Sequence, residues 1–147
     1  MITRCTHLQQ TGWLTLRQAL WSDSPPDQHL GEMASILSSP QRYIALTFSD
    51  QAGQVLGFAE ASIRSEYVNG TQTSPVGFLE GLFVTPASRG QGVARALVAG
   101  VEQWSQALGC TELASDAALD NQASHAMHQA LGFAETERVV YFRKAID

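Results

Sequence analysis

Apolar residues recur every third or fourth position in some stretches and every second in others, and this change of period divides the chain into elements. Ile2 to Thr6 alternates weakly and predicts a first strand. Thr11 has the side chain of an N-cap for a helix carrying Trp13, Leu14, Leu16, Arg17, Leu20 and Trp21, broken by Pro25 and Pro26. A second helix begins near Asp27, with Leu30, Met33, Ile36 and Leu37 at helical spacing. Arg42 to Phe48 and Val55 to Ile63 read as strands joined by a turn over Ser49 to Gly53. Tyr67 to Pro75 is a polar loop turned by Asn69 and Gly70, and Val76 to Val84 is the next strand. Val93 to Trp104 is an apolar-periodic helix stopped by Gly109, and Thr111 to Ala114 is a short strand. Asp120 or Asn121 caps a further helix that ends near Leu131 with Gly132 behind it. Val139 to Arg143 reads as a last strand. Strands with helices interleaved imply a single α/β domain over residues 1–147 with a sheet of mixed direction.

Composition narrows the class. A chain of 147 residues, 44% hydrophobic and 16% charged, has the make-up of a folded globular domain that needs no disulfide or metal staple. No apolar stretch approaches the ~20 residues of a membrane span. No basic segment followed by an apolar run opens the sequence, so no signal peptide is expected. Cys5 and Cys110 lie far apart, outside any ligand pattern, and read as reduced core residues. A cytoplasmic protein is the expectation. Fourteen acids against nine bases leave a formal charge of −5, and eight of the bases are arginine, with Lys144 the only lysine. The basic stripe of a phosphate-backbone binder is absent, which argues against nucleic acid and anionic membrane as partners and permits a cationic one.

The sharpest local signal is Arg89-Gly90-Gln91-Gly92-Val93-Ala94, between a strand and a helix. Glycines there let backbone N–H groups converge on one point, and the helix start adds its partial positive charge. No Gly-Lys-Ser/Thr follows, so it is not a Walker loop, and the spacing is not that of a dinucleotide fingerprint. A plain Gly-rich connection would look the same.

Context resolves that ambiguity. Arg-x-x-Gly-x-Ala after Leu82, Phe83 and Val84 resembles the coenzyme A pyrophosphate loop of the GNAT-type N-acetyltransferases. Asn121, followed by Ala130 to Phe133, resembles their later cofactor segment. Trp21, Ala61 to Gly70, Phe78 to Gly81, Ala114 to Asp116 and His128 to Arg138 are together similar to the aminoglycoside 6′-N-acetyltransferases, a resemblance covering essentially the whole chain. It implies a mixed, mostly antiparallel sheet of about six or seven strands flanked by about four helices, in a homodimer. It also implies acetyl transfer from acetyl-coenzyme A to the 6′-amine of the drug, which confers antibiotic resistance. Leu82, Phe83 and Val84 would pair with the pantetheine arm. Arg89, Gly90, Gln91, Gly92, Val93 and Ala94 would hold the pyrophosphate, and Asn121 would reach the cofactor further along. Trp21, Tyr67, Glu80, Asp116 and Glu137 match positions lining the acceptor pocket. The sequence departs from the wider superfamily at His128, where many members carry a tyrosine proposed as general acid, and from some close relatives at Ser24, where they have histidine.

The residues themselves point the same way. An aminoglycoside is a polycation whose ammonium groups seek carboxylates, and Glu80 and Asp116 fall near strand ends that would open into one crevice. Either can accept the proton of the reacting amine, with Asp116 the first choice as base and Glu80 its partner or substitute. A backbone N–H near Leu82 to Val84 is the expected donor to the thioester oxygen. Glu137 could instead pair with Arg138 or Arg143, and His128 could be a packed rim histidine. His125 and His128 lack a third ligand, so no metal is expected. Two other readings remain open: a GNAT-type enzyme acting on a polyamine, metabolite or protein amine, and a non-catalytic acyl-coenzyme A-binding module.

Overall fold

A computed structural model describes all 147 residues. Its sheet has five strands in spatial order β1 (Ile2–Arg4), β2 (Tyr43–Ser49), β3 (Val55–Arg64), β4 (Val76–Val84) and β5 (Leu113–Ala114). The first four pair antiparallel, and β5 joins β4 in parallel through Gly77–Leu113 and Phe78–Ala114 only. Helices α1 (Trp13–Leu20) and α2 (Pro26–Ser38) cover one face and α3 (Val93–Ala107) the other, while α4 (Gln122–Ala130) follows β5. Strand alternation feeds both layers. Ile44, Leu46, Ala59 and Ala61 pack with Leu97, Val98 and Val101 of α3. Ala45 and Phe58 pack with Trp13, Leu16 and Met33 on the opposite face. None of the helices is long and apolar enough to cross a membrane.

One irregularity in this sheet positions the site. Glu60 stands opposite Gly81, but Ala61 stands opposite Leu79, so Glu80 is an extra residue in β4. Such a bulge reverses the alternation beyond it. Leu79 and Leu82, three apart, therefore both pack on the α3 layer, while Phe83 joins the α1 and α2 layer.

Two expectations are corrected. The sheet has five strands, not six or seven. Residues 139–143 are not a strand: no element follows α4, and Val139, Val140, Tyr141 and Phe142 are 44–92% exposed. Their composition favours extended backbone, but a strand needs an edge to pair with, and the sheet does not take this segment in. A smaller correction concerns α1, where Gly12, in left-handed backbone at φ 82°, is the N-cap and Thr11 lies outside. Of the two caps read for α4, Asp120 or Asn121, it is Asn121, its side chain accepting from the Ser124 N–H at 3.1 Å.

Candidate active site

The pairing of β5 with β4 ends at Phe78–Ala114, and beyond Leu79, whose carbonyl accepts from the Ser115 hydroxyl at 3.5 Å, the β5-facing edge of β4 has no strand partner. A cleft of roughly 2200 Å³ opens beside this divergence, lined among others by Tyr67, Glu80, Asp116, His128 and Glu137. Four of the five residues expected around an acceptor thus share one cavity. Seven carboxylates and three guanidinium groups line it, so half of the chain's fourteen acids face this one space. The local field favours a cation.

The two acids expected to carry chemistry differ in their surroundings. Glu80, the bulge residue, accepts from the Ser62 hydroxyl at 2.6 Å and from Arg64 Nη2 at 2.8 Å, both at Oε1. The Arg64 guanidinium lies in turn over the Phe78 ring, 3.5 Å from its centroid. Glu80 is therefore oriented and partly neutralised. Asp116 comes two residues after β5, is exposed, and has neither an ion pair nor a hydrogen bond. Its neighbour Ser115 lies 2.7 Å from His128 Nε2, while His128 Nδ1 donates to the Ser124 carbonyl at 2.7 Å. With Phe133 edge-on at 5.2 Å, His128 is fixed by α4 rather than free in the cleft.

Two loops close the cleft. Glu112 accepts from the backbone N–H groups of Gln72 and Thr73 and the Thr73 hydroxyl, pinning the loop that carries Tyr67. These bonds, the Thr73 hydroxyl first, hold its carboxyl below the usual range. Gly70 packs on Thr136, leaving no space for a Cβ, which brings the Tyr67 loop against the segment bearing Glu137. Glu137 makes no ion pair, because Arg138 turns to Glu135 instead.

At the far end of β4 the chain turns through Arg89–Gly92 into the start of α3. Gly90 and Gly92 have φ of 76° and 86°, and nothing lies within 4 Å of where their side chains would begin. Gly92 is the N-cap, and the first intrahelical bond runs from the Ala96 N–H, so the N–H groups of Val93 to Arg95 remain available. Arg89 folds back, its Nε donating to the Val84 carbonyl at 2.9 Å. The turn is an open, positively polarised surface suited to phosphate oxygens.

Not every expected residue joins these surfaces. Asn121 spends its side-chain oxygen on the α4 cap. Trp21 does not line the acid-rich cleft; it lies on Gly81, beside the bulge. Sequence reasoning missed what holds Trp21. Arg17 and Glu60, 1% and 4% exposed, form a buried ion pair between α1 and β3. Arg17, four residues after Trp13 on the apolar face of α1, was the only signal.

The comparisons with known proteins agree with this architecture. The sequence pattern of the acetyltransferase (GNAT) family matches residues 8–133. An aminoglycoside N(6′)-acetyltransferase type 1 of Acinetobacter baumannii is 58% identical over 138 residues, 94% of this chain and 93% of that protein. A crystal structure of an aminoglycoside antibiotic 6′-N-acetyltransferase from Acinetobacter baumannii superposes with a TM-score of 0.94 at 54% identity, covering 100% of this chain and 99% of the other. The enzyme AAC(6′)-Iy, in complex with the bisubstrate analogue CoA-S-monomethyl-acetylneamine, superposes with a TM-score of 0.91 at 44% identity over 99% and 98% of the two chains. With the diverging strands, the open turn before α3 and a family match over most of its length, the chain belongs to the acetyltransferase (GNAT) family.

Proposed function

We propose that this protein transfers the acetyl group of acetyl-coenzyme A to the 6′-amine of aminoglycoside antibiotics and thereby inactivates them. The observation that carries the reading is the acid-lined cleft at the β4–β5 divergence, in a chain 58% identical to an enzyme named for that reaction. A polycation placed there meets Glu80, Asp116 and Glu137, each able to accept charge-assisted hydrogen bonds from ammonium groups.

Acetyl-coenzyme A supplies an activated thioester, and the chain's own groups hold and orient it. The N–H groups of the Arg89–Ala94 turn take the pyrophosphate. The free edge of β4 from Leu82 to Val84 takes the pantetheine arm, one of its N–H groups facing the thioester oxygen. Asn121, though committed to its helix cap, stands at the start of α4, where the more distal part of the cofactor would run. Asp116, unpaired, accepts a proton from the acceptor ammonium, directly or through a water, so that a free amine attacks the thioester carbon. The C–S bond then breaks, and coenzyme A leaves as a thiolate that takes up the proton lost by the new amide nitrogen. Glu80, already bonded to Ser62 and Arg64, serves chiefly to position the drug. Trp21 walls the pocket beyond Gly81.

The protein works as a homodimer in the cytoplasm, on this reading. A second copy would cover the apolar side chains that Val139 to Phe142 and Ile146 leave in water. The buried thiols of Cys5 and Cys110 suit a reducing compartment. A thiol-release assay with acetyl-coenzyme A, run against kanamycin, tobramycin and a polyamine panel, tests the activity. Turnover with the drugs supports the proposal, turnover with polyamines alone moves the acceptor class, and no release with any amine leaves only a binding module.

A further inference from the structure

The ion pair between Arg17 and Glu60 is buried in the layer between the sheet and helices α1 and α2, away from the acid-lined cleft. Burying two charges is costly, and a pair of this kind is often no more stabilising than an apolar replacement. Burial pushes Glu60 up in pKa against the opposing pull of Arg17. Several further contacts of the cluster tie this buried pair to Trp21.

Arg17 uses three sides of its guanidinium: Nη1 on Glu60, Nη2 on Glu32, and Nε donating to His29 Nδ1 at 3.2 Å. Glu60 is held further by the Trp13 indole N–H at 2.8 Å. Because His29 accepts at Nδ1, its proton sits on Nε2, which donates to the Trp21 carbonyl at 3.2 Å. The neutral imidazole in this one tautomer satisfies both bonds. The Trp21 N–H bonds back to the Arg17 carbonyl at 2.8 Å. The guanidinium also lies over the indole, 4.8 Å from its centroid. Phe58 meets the ring edge-on at 5.9 Å, and Gly81 lies beneath it. Trp21 is thus gripped at its N–H, its carbonyl and its ring by residues that do not reach the cleft.

We propose that Arg17, His29 and Glu60 are positioning residues, a buried polar frame that sets the Trp21 indole on Gly81 next to Glu80 and so determines how tightly the acceptor is held. The proposal rests on the reading of Trp21 as a wall of the acceptor pocket. It concerns binding of the acceptor, with no part in cofactor binding or proton transfer.

The test pairs His29→Leu with His29→Gln. Leucine removes both bonds, whereas the glutamine amide can accept from Arg17 and donate to the Trp21 carbonyl. In His29→Leu the KM for tobramycin should rise about tenfold, the scale of one lost buried hydrogen bond. Its kcat and its KM for acetyl-coenzyme A should stay within about twofold. His29→Gln should restore most of the acceptor KM. Near-ultraviolet circular dichroism provides a readout independent of activity: the band that Trp21→Phe removes should also be lost in His29→Leu and kept in His29→Gln. If His29→Leu fails to fold, Gly81→Ala displaces the indole from the opposite side and should raise the acceptor KM alone. An unchanged acceptor KM in a folded variant, equal rises for both substrates, or a retained Trp21 band would each overturn the proposal. Should the wild-type protein acetylate no aminoglycoside, the proposed function fails, and the dichroism still decides whether the frame positions Trp21.

Discussion

The indole of Trp21 and the backbone of Gly81 are in direct contact, so that a Cβ added to Gly81 would stand 2.5 Å from Trp21 Cη2. Glu80, the next residue along, is the bulged position of β4, and Glu60 pairs with Gly81 across the sheet. The end of α1 is therefore fixed to the same few residues of β4 that aim a carboxylate into the cleft. The Trp21 indole and one charge of the cleft thus share a common mount.

The contrast between the two acids gives the first prediction. Asp116→Asn keeps the size of the side chain and removes the proton acceptor, so kcat should fall ~10²–10⁴-fold. Glu80→Gln should act mainly on the acceptor KM, because Glu80 is already committed to Ser62 and Arg64. Full pH–rate profiles of both variants check the division. A wild-type kcat in Asp116→Asn with a collapsed kcat in Glu80→Gln would reverse the roles.

The second concerns the open turn before α3. Gly92 has φ 86°, a conformation that costs a residue with a Cβ about 1–2 kcal/mol, although the space around it is empty. Gly92→Val should lower the melting temperature modestly and weaken acetyl-coenzyme A binding markedly, since strain there re-aims the first N–H groups of α3. Calorimetric titration of the folded variant measures this, and an unchanged affinity would remove the turn from the cofactor site.

Stability in alkali supplies the third. Burial pushes the Cys5 thiol up to about 12, from an unperturbed value of 9.0, with the Glu60 charge adding to the effect. Between those values the unfolded chain ionises and the folded one does not. Stability is therefore fully present below pH 9 and declines as pH rises through that window, by about 1.4 kcal/mol per pH unit for this thiol. Burial raises Cys110 as well, which adds in the same direction. Denaturation curves of the wild type and Cys5→Ala from about pH 8 to about 11 should diverge above the unperturbed 9.0, with the wild type showing the steeper loss.

Much of this could be read from the sequence, and what could not has physical causes. The Asn121 cap and the strand limits of β4 followed from local chemistry. The bulge left a trace in the three-residue spacing of Leu79 and Leu82, which a strict strand period does not allow. Arg17 stood on the apolar face of α1, but its pairing could not be read because its partners lie 12, 15 and 43 positions away in sequence. The segment Val139 to Arg143 misled for the opposite reason: its composition is that of a strand, and pairing is a property of the edge it meets.

That segment carries the fourth prediction. Tyr141 and Phe142 are 83% and 92% exposed, and a second copy is the proposed cover. Light scattering at micromolar concentration should give a dimer mass for the wild type. Replacing both aromatics by aspartate should give a monomer, because a buried charge without a partner opposes association. A wild-type monomer would end the dimer proposal.

The central claim is that the acid-lined cleft presents the 6′-amine of an aminoglycoside to the thioester. Its most direct test is to incubate the protein with acetyl-coenzyme A and tobramycin and locate the new acetyl group by nuclear magnetic resonance. The account predicts a single product, acetylated at the 6′-amine, formed slowly or not at all by Asp116→Asn. Acetylation at any other amine, or none, would contradict it.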